Sequence, residues 1–185
     1  MKSGLISREN SVLIAVDFQE KLMPHITGRE QILQKASLLI RSAGILGVPI
    51  LFTEHYSKGL GPTVAPVSGL VAEFSAVEKT CFSCTGEPEF IHRFDLLKRT
   101  QAVIIGVETH ICIAQTAVEL VGLGISVFVA ADASGSRRQA DAELGLRRME
   151  AAGIAVTGAE AVVYEWLRRA GTEGFKKVAA MVKES

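Results

Sequence analysis

Short, uninterrupted apolar runs alternate along this chain with longer stretches whose apolar residues recur at helical spacing. Residues 11–16, 48–53, 102–106 and 125–130 are the clearest runs, each rich in Val, Ile, Leu, Ala or Phe. Runs without a polar alternate position suit parallel strands covered on both faces. Between the first two, Ile32, Leu33, Ala36, Leu39 and Ile40 predict a helix over 29–46, ended by Gly47 and Pro49. Segments 87–98, 110–123 and 137–152 read as further helices, the last closed by Gly153 before a short strand at 154–157. Helical stretches from Ala159 and from Thr172 finish the chain.

Repeated strand-then-helix order predicts an α/β fold, a parallel sheet with helices on both faces, because right-handed crossovers pack back only that way. No repeat, low-complexity tract or composition shift divides residues 1–185, so one domain is expected. Residues 55–84 resist the pattern: Gly59, Gly61, Pro62, Pro66 and Gly69 break any period, and a loop that long is usually functional.

Composition narrows the function classes. With 185 residues, 48% hydrophobic, the chain can bury a large core, which excludes disorder. Twenty basic residues balance twenty acidic ones, so no field points to nucleic acid or an anionic membrane. Three Cys, no hydrophobic leader in residues 1–10 and no long uncharged apolar run fit a cytoplasmic protein outside the membrane.

In doubly wound sheets the ligand crevice lies beyond the carboxyl ends of the strands, where strand order reverses. The first strand ends at Asp17, followed by Phe18 and Gln19; the run at 102–106 leads through Val107, Glu108, Thr109 and His110 to Cys112. If these strands flank the reversal, Asp17 and Cys112 share one crevice. Thr109 reads as an N-cap, which places Cys112 in the first helical turn. There the dipole favours a thiolate, and free N–H groups can hold an oxyanion. Cys112 can equally be a packed small hydrophobe, Asp17 a turn cap and Lys79 a solvated surface group.

These residues resemble the isochorismatase-like cysteine hydrolases, whose catalytic groups are an Asp after the first strand, a Lys and a Cys. Asp17-Phe18-Gln19 matches the Asp-x-Gln element, Gly106 to Cys112 the Gly-x-x-Thr-x-x-Cys segment, and Lys79 the Lys. Thr53-Glu54-His55-Tyr56, Gly59 to Thr63 and Lys79 to Ser83 are similar to the isochorismatase domain-containing subgroup. The resemblance implies a three-layer α/β/α Rossmann-like fold, six parallel strands in order 3-2-1-4-5-6, and a cis peptide between Val107 and Glu108. It also implies hydrolysis of a small carboxamide or ureido C–N bond through a Cys112 thioester. Asp17 would be the base, Lys79 its cationic partner, and the Glu108 and Cys112 N–H groups the oxyanion donors. Phe18, Gln19, Glu54, His55, Tyr56 and Cys81 would line the pocket.

Nicotinamidases of this superfamily hold a divalent metal through Asp-x-His after the second strand, whereas this chain has Glu54-His55-Tyr56, so no metal or cofactor is expected. True isochorismatases cleave a vinyl ether and lack the nucleophilic Cys, which sets Cys112 against that reaction. Cys81 and Cys84 match Cys-x-x-Cys, but the turn Thr85-Gly86-Glu87-Pro88 follows where a redox helix would start, and no second pair completes a zinc site. His110 lies two residues from Cys112, and such neighbours on a helix diverge. The expected partner is a small molecule within a homo-oligomer. The alternative is a non-catalytic scaffold or partner-binding module of the same fold.

Overall fold

The computed structural model describes residues 4–183. Six strands form one parallel sheet: β1 (Ser11–Val16), β2 (Ile50–His55), β3 (Ala76–Lys79), β4 (Gln101–Val107), β5 (Ser126–Gly135) and β6 (Ala155–Thr157). Their spatial order is β3-β2-β1-β4-β5-β6, and every pairing is parallel. The longer helices are α1 (Arg29–Leu46), α4 (Pro88–Leu97), α5 (Ala114–Gly122), α6 (Gln139–Ala151), α7 (Ala159–Leu167) and α8 (Glu173–Lys183). Two single-turn helices, α2 (Ser57–Leu60) and α3 (Ala65–Ser68), lie between β2 and β3.

Alternate side chains of the central strands feed two separate cores. Leu13, Ala15, Val103 and Ile105 face α1, α7 and α8, where they meet Ala36, Leu39, Val162, Trp166 and Val178. Val12, Ile14, Ala102 and Ile104 face the other way, toward Phe90, Phe94, Ala117, Leu120 and Met149 of α4, α5 and α6. Full burial on both faces is why these strands read as unbroken apolar runs. Each buried Leu or Ile contributes about 1.5–3 kcal/mol to the layers it joins.

Helix α1 occupies the range its periodicity predicts. The stretch 55–84, expected as a loop, instead contains α2, α3 and the edge strand β3. β3 is only four residues long and half of it is open to solvent, so it carries no apolar run. β2 starts two residues later than expected, after Pro49, whose missing N–H disfavours a ladder position. β5 runs on to Gly135, past the expected end at residue 130, with a register shift against β4 between Ile104 and Gly106.

Candidate active site

The chain leaves β1 for β2 on one side and returns at β4 on the other, so the reversal of strand order lies between β1 and β4. Val16 pairs with Thr53 on β2 and with Gly106 on β4. Gly106 has φ +124°, and a Cβ there would lie 2.0 Å from the Val16 carbonyl oxygen. Only glycine lets the two strands approach this closely where the crevice opens.

Asp17 follows β1 directly, in a left-handed conformation (φ +53°) that Asp tolerates better than most residues. It is completely buried. Oδ2 accepts from Lys79 Nζ at 2.7 Å and Oδ1 from the Thr53 hydroxyl at 2.7 Å. Lys79 ends β3, opposite His55 of β2, and is 1% exposed. Its ammonium also donates to the carbonyls of Phe82 (3.1 Å) and Cys81 (3.3 Å). Burial pulls the Lys79 pKa down, but the charge of Asp17, the neighbouring thiols and the Asp17 hydrogen bond together outweigh it and leave it raised. Lys79 is therefore a fixed cation.

Cys112 arrives from the other half of the sheet, on a π-helical turn, Thr109–Ile113, that leads into α5. Such turns inside helices are frequent at functional sites. The Val107–Glu108 peptide before it is cis. Glu108 is the N-cap residue, in place of Thr109 as expected, and its carbonyl accepts from Ile111 N–H (3.1 Å) and Ile113 N–H (3.3 Å). The Glu108 carboxylate turns away to Arg137, taking its backbone N–H at 2.9 Å and its Nε at 3.1 Å. The Thr109 hydroxyl is buried without a hydrogen-bond partner. Gly145 of α6 admits the turn, since a Cβ there would meet His110 Cα at 2.8 Å.

Cys112 is 7% exposed and lies within electrostatic reach of both Asp17 and Lys79. Its pKa is pushed up to about 12, first by burial and then by the Asp17 charge, with Lys79 opposing both. The sequence expectation of a depressed thiol pKa is thus reversed in the resting site. A carboxylate and the loss of water outweigh the helix start and the ammonium, and the sulfur keeps its proton.

Asp17, Lys79 and Cys112 therefore converge in one place, while the other expected pocket residues divide. Phe18 packs in the α1-side core at 1% exposure. Gln19, also fully buried, clamps the β2 end to the next loop: its amide donates to His55 O (3.0 Å) and Gly61 O (2.7 Å) and accepts from His55 N (2.7 Å). Glu54 Oε1 receives the N–H and hydroxyl of Thr63, at 2.7 and 2.8 Å. Phe18 is thus spent on core packing, and Gln19 and Glu54 on bonds to the neighbouring loop. His55 is half-buried, and Tyr56 and Cys81 are open to solvent. The His55 ring stacks on Phe82 at 5.3 Å, and burial, then Lys79, lowers its pKa, so it is neutral at pH 7. Tyr56, Phe82 and Cys81 are exposed. Sequence reasoning missed Thr53 and Phe82; Thr53 could have been found as the last inward position of β2 beside Asp17. His110 Nδ1 lies 2.9 Å from the Ser136 hydroxyl, so this ring is engaged outside the triad. Asp132, within β5, accepts the Ala159 N–H at the start of α7. Cys81, Cys84 and Cys112 are all free thiols, and no group of three or more His, Cys, Asp or Glu able to hold a metal occurs among the described residues.

A doubly wound sheet with a thiol, a carboxylate and an ammonium gathered at its switch point defines a Rossmann-like α/β class with a thiol-centred site. Residues 11–161 match the isochorismatase domain, and the chain belongs to that family. It is 37% identical over 182 residues to isochorismatase domain-containing protein 2A of Mus musculus, across 98% of this chain and 86% of that protein. The structure of the MAR1 ribonuclease from Caenorhabditis elegans superposes with a TM-score of 0.90 at 32% identity, covering 97% of this chain and 93% of that one. The YcaC gene product of Escherichia coli, described as an octameric hydrolase of unknown specificity, shares the fold with a TM-score of 0.91 at 20% identity, over 98% and 92% of the two chains. No described helix is long and apolar enough to cross a membrane.

Proposed function

We propose that this chain is a cysteine hydrolase that cleaves a small carboxamide or ureido C–N bond, with Asp17, Lys79 and Cys112 as its catalytic residues. One observation carries the reading: a wholly buried Lys79–Asp17 ion pair, 2.7 Å long, set against the Cys112 thiol. A buried pair of this kind gains little stability over apolar packing, so a role in chemistry accounts for its placement better than a role in folding.

Because the resting sulfur is protonated, Asp17 takes its proton as the sulfur attacks the carbonyl carbon. Lys79 balances the negative charge throughout and keeps its own protons. The carbonyl oxygen becomes an oxyanion, received by the Glu108 and Cys112 N–H groups. Asp17 then passes the proton to the departing ammonia or amine as the C–N bond breaks. Water, deprotonated by Asp17, hydrolyses the thioester and restores the thiol. His55, Tyr56, Phe82 and Cys81 present an uncharged rim to the substrate. No step calls for a cofactor. We further propose one domain over residues 1–185, a cytoplasmic setting consistent with three free thiols, and a homo-oligomer, as in the octameric E. coli protein of the same fold.

Ammonia release from a panel of carboxamides and ureido acids tests the reading. Cys112→Ala and Cys112→Ser are expected to abolish release while thermal unfolding stays near that of the parent; full turnover by Cys112→Ala overturns it. The likeness to the C. elegans MAR1 ribonuclease supports a second reading, cleavage of RNA. The balanced charge of the chain and its nearly closed thiol favour the small amide. RNA degradation lost on Cys112→Ala, without ammonia release from any amide, would reverse that preference.

A further inference from the structure

Cys84 is the buried half of the Cys-x-x-Cys pair, and the mechanism above leaves it without a task. It is fully buried in the α4–α6 core beside the triad. Two hydroxyls link it to the site. Its thiol donates to Thr53 Oγ1 over a long 3.9 Å contact, and Thr53 donates onward to Asp17 Oδ1 at 2.7 Å. Its backbone N–H donates to Thr116 Oγ1 at 2.9 Å, and Thr116 donates onward to the Cys112 carbonyl at 2.7 Å. A hydroxyl has one proton to give. By supplying a donor to each hydroxyl, Cys84 directs both O–H protons into the site, one at the carboxylate and one at the backbone of the nucleophile. Thr53 and Thr116 are 1% and 0% exposed, so water does not compete for either bond.

We infer that Thr53 and Thr116, both oriented by Cys84, are positioning residues that hold Asp17 and Cys112 in register across the switch point. This rests on the proposed exchange of a proton between Asp17 and Cys112. The Thr53 hydroxyl holds Oδ1 and so keeps the carboxylate in the position from which it takes the thiol proton. Without the hydroxyl, the carboxylate is free to turn from that position, and the sulfur is slower to lose its proton. The Thr116 branch fixes where the sulfur starts from.

The test reads the thiol directly. The rate at which iodoacetamide alkylates Cys112 is followed by peptide mass spectrometry at about pH 9, where the resting thiol still holds its proton and the rate reads how readily that proton leaves. Thr53→Val is expected to slow alkylation about tenfold, the scale of one hydrogen bond to a charged group. Thr53→Ser is expected to react like the parent. In an Asp17→Asn background the same Thr53→Val change should alter the rate less than about twofold, because its route through the carboxylate is gone. Cys84→Ala should slow the reaction about threefold and Cys84→Ser less, as befits a weaker thiol donor. Equal slowing by Thr53→Val in both backgrounds overturns the inference, as does an unchanged or faster rate, or a Thr53→Ser variant that behaves like Val. If Asp17→Asn does not fold, the Ser-against-Val comparison decides alone: recovery by Ser supports the relay, and no recovery overturns it. Ammonia release is read separately, so a relay that fails on the thiol and a hydrolase reading that fails on turnover leave different signatures.

Discussion

The two halves of the site are built on opposite terms. On the β1–β3 side, both Asp17 oxygens and all three Lys79 protons have partners within the protein. On the β4–α5 side, the Thr109 hydroxyl is buried without a partner and the π-helical turn interrupts regular α-helical bonding. The Asp17–Lys79 pair keeps a constant field because neither group is free to turn. The Thr109 hydroxyl, 1% exposed, is left without a bond by that turn. The contrast teaches that the side of the site carrying the charge is the side on which the charged groups have all their bonds made.

The largest test of that contrast breaks the closed half. Asp17→Asn or Lys79→Met alone leaves a buried charge or polar group unpaired and is expected to cost about 3–5 kcal/mol in urea unfolding. The double variant Asp17→Asn/Lys79→Met should recover most of that loss while remaining inactive; a double variant as unstable as the sum of the singles would show that the pair is not a closed unit. On the other side, Gly145→Ala places a Cβ 2.8 Å from His110 Cα, so α6 must shift away from the turn that carries Cys112. An overpacking cost of about 1–3 kcal/mol is expected, together with slower Cys112 alkylation. Thr109→Val should change stability by about 1 kcal/mol or less, in the favourable direction, because it removes an unpaired buried hydroxyl, yet it should impair turnover. A clear loss of stability would mean that the hydroxyl is not open after all.

The mildest effect under ordinary conditions is that of pH. Cys112 and Cys84 titrate in the fold at about 12 and about 11, against a usual value of 9.0, and Lys79 is likewise raised. Above pH 9.0 the unfolded thiols lose protons that the folded ones keep, so stability should fall as pH rises from 9.0 toward about 12. His55, lowered from 6.5, works in the other direction: the unfolded ring binds protons first, and stability should decline below pH 6.5. Unfolding midpoints between pH 5 and 11 check both limbs, and Cys84→Ala should flatten the alkaline one.

Much of this was legible in the sequence, for reasons particular residues make plain. Val12 to Val16 and Ala102 to Ile105 are buried on both faces, so strand, sheet class and the place of Asp17 followed from an apolar run and what ends it. β3 was not legible, because Glu78 is exposed, Ala76 is only part-buried and the short span carries no period. The cap at Thr109 was misplaced because residue type alone does not reveal that the chain turns one residue earlier, at Glu108. The direction of the Cys112 shift needed the depth of burial and the nearness of Asp17, neither of which sequence spacing encodes. Gln19 and Glu54 looked like ligand contacts because polar residues at strand ends often are; here loop backbone claims them first.

The ammonium at position 79 is a knot as well as a charge. By gripping the carbonyls of Cys81 and Phe82, it fastens the segment that carries the aromatic lip and leads down to Cys84. A lineage that swapped this lysine for a neutral residue would unmoor the doorway in the same stroke that it discharged the interior. Electrostatic tuning and entrance shape are thus inherited together and cannot drift apart one substitution at a time.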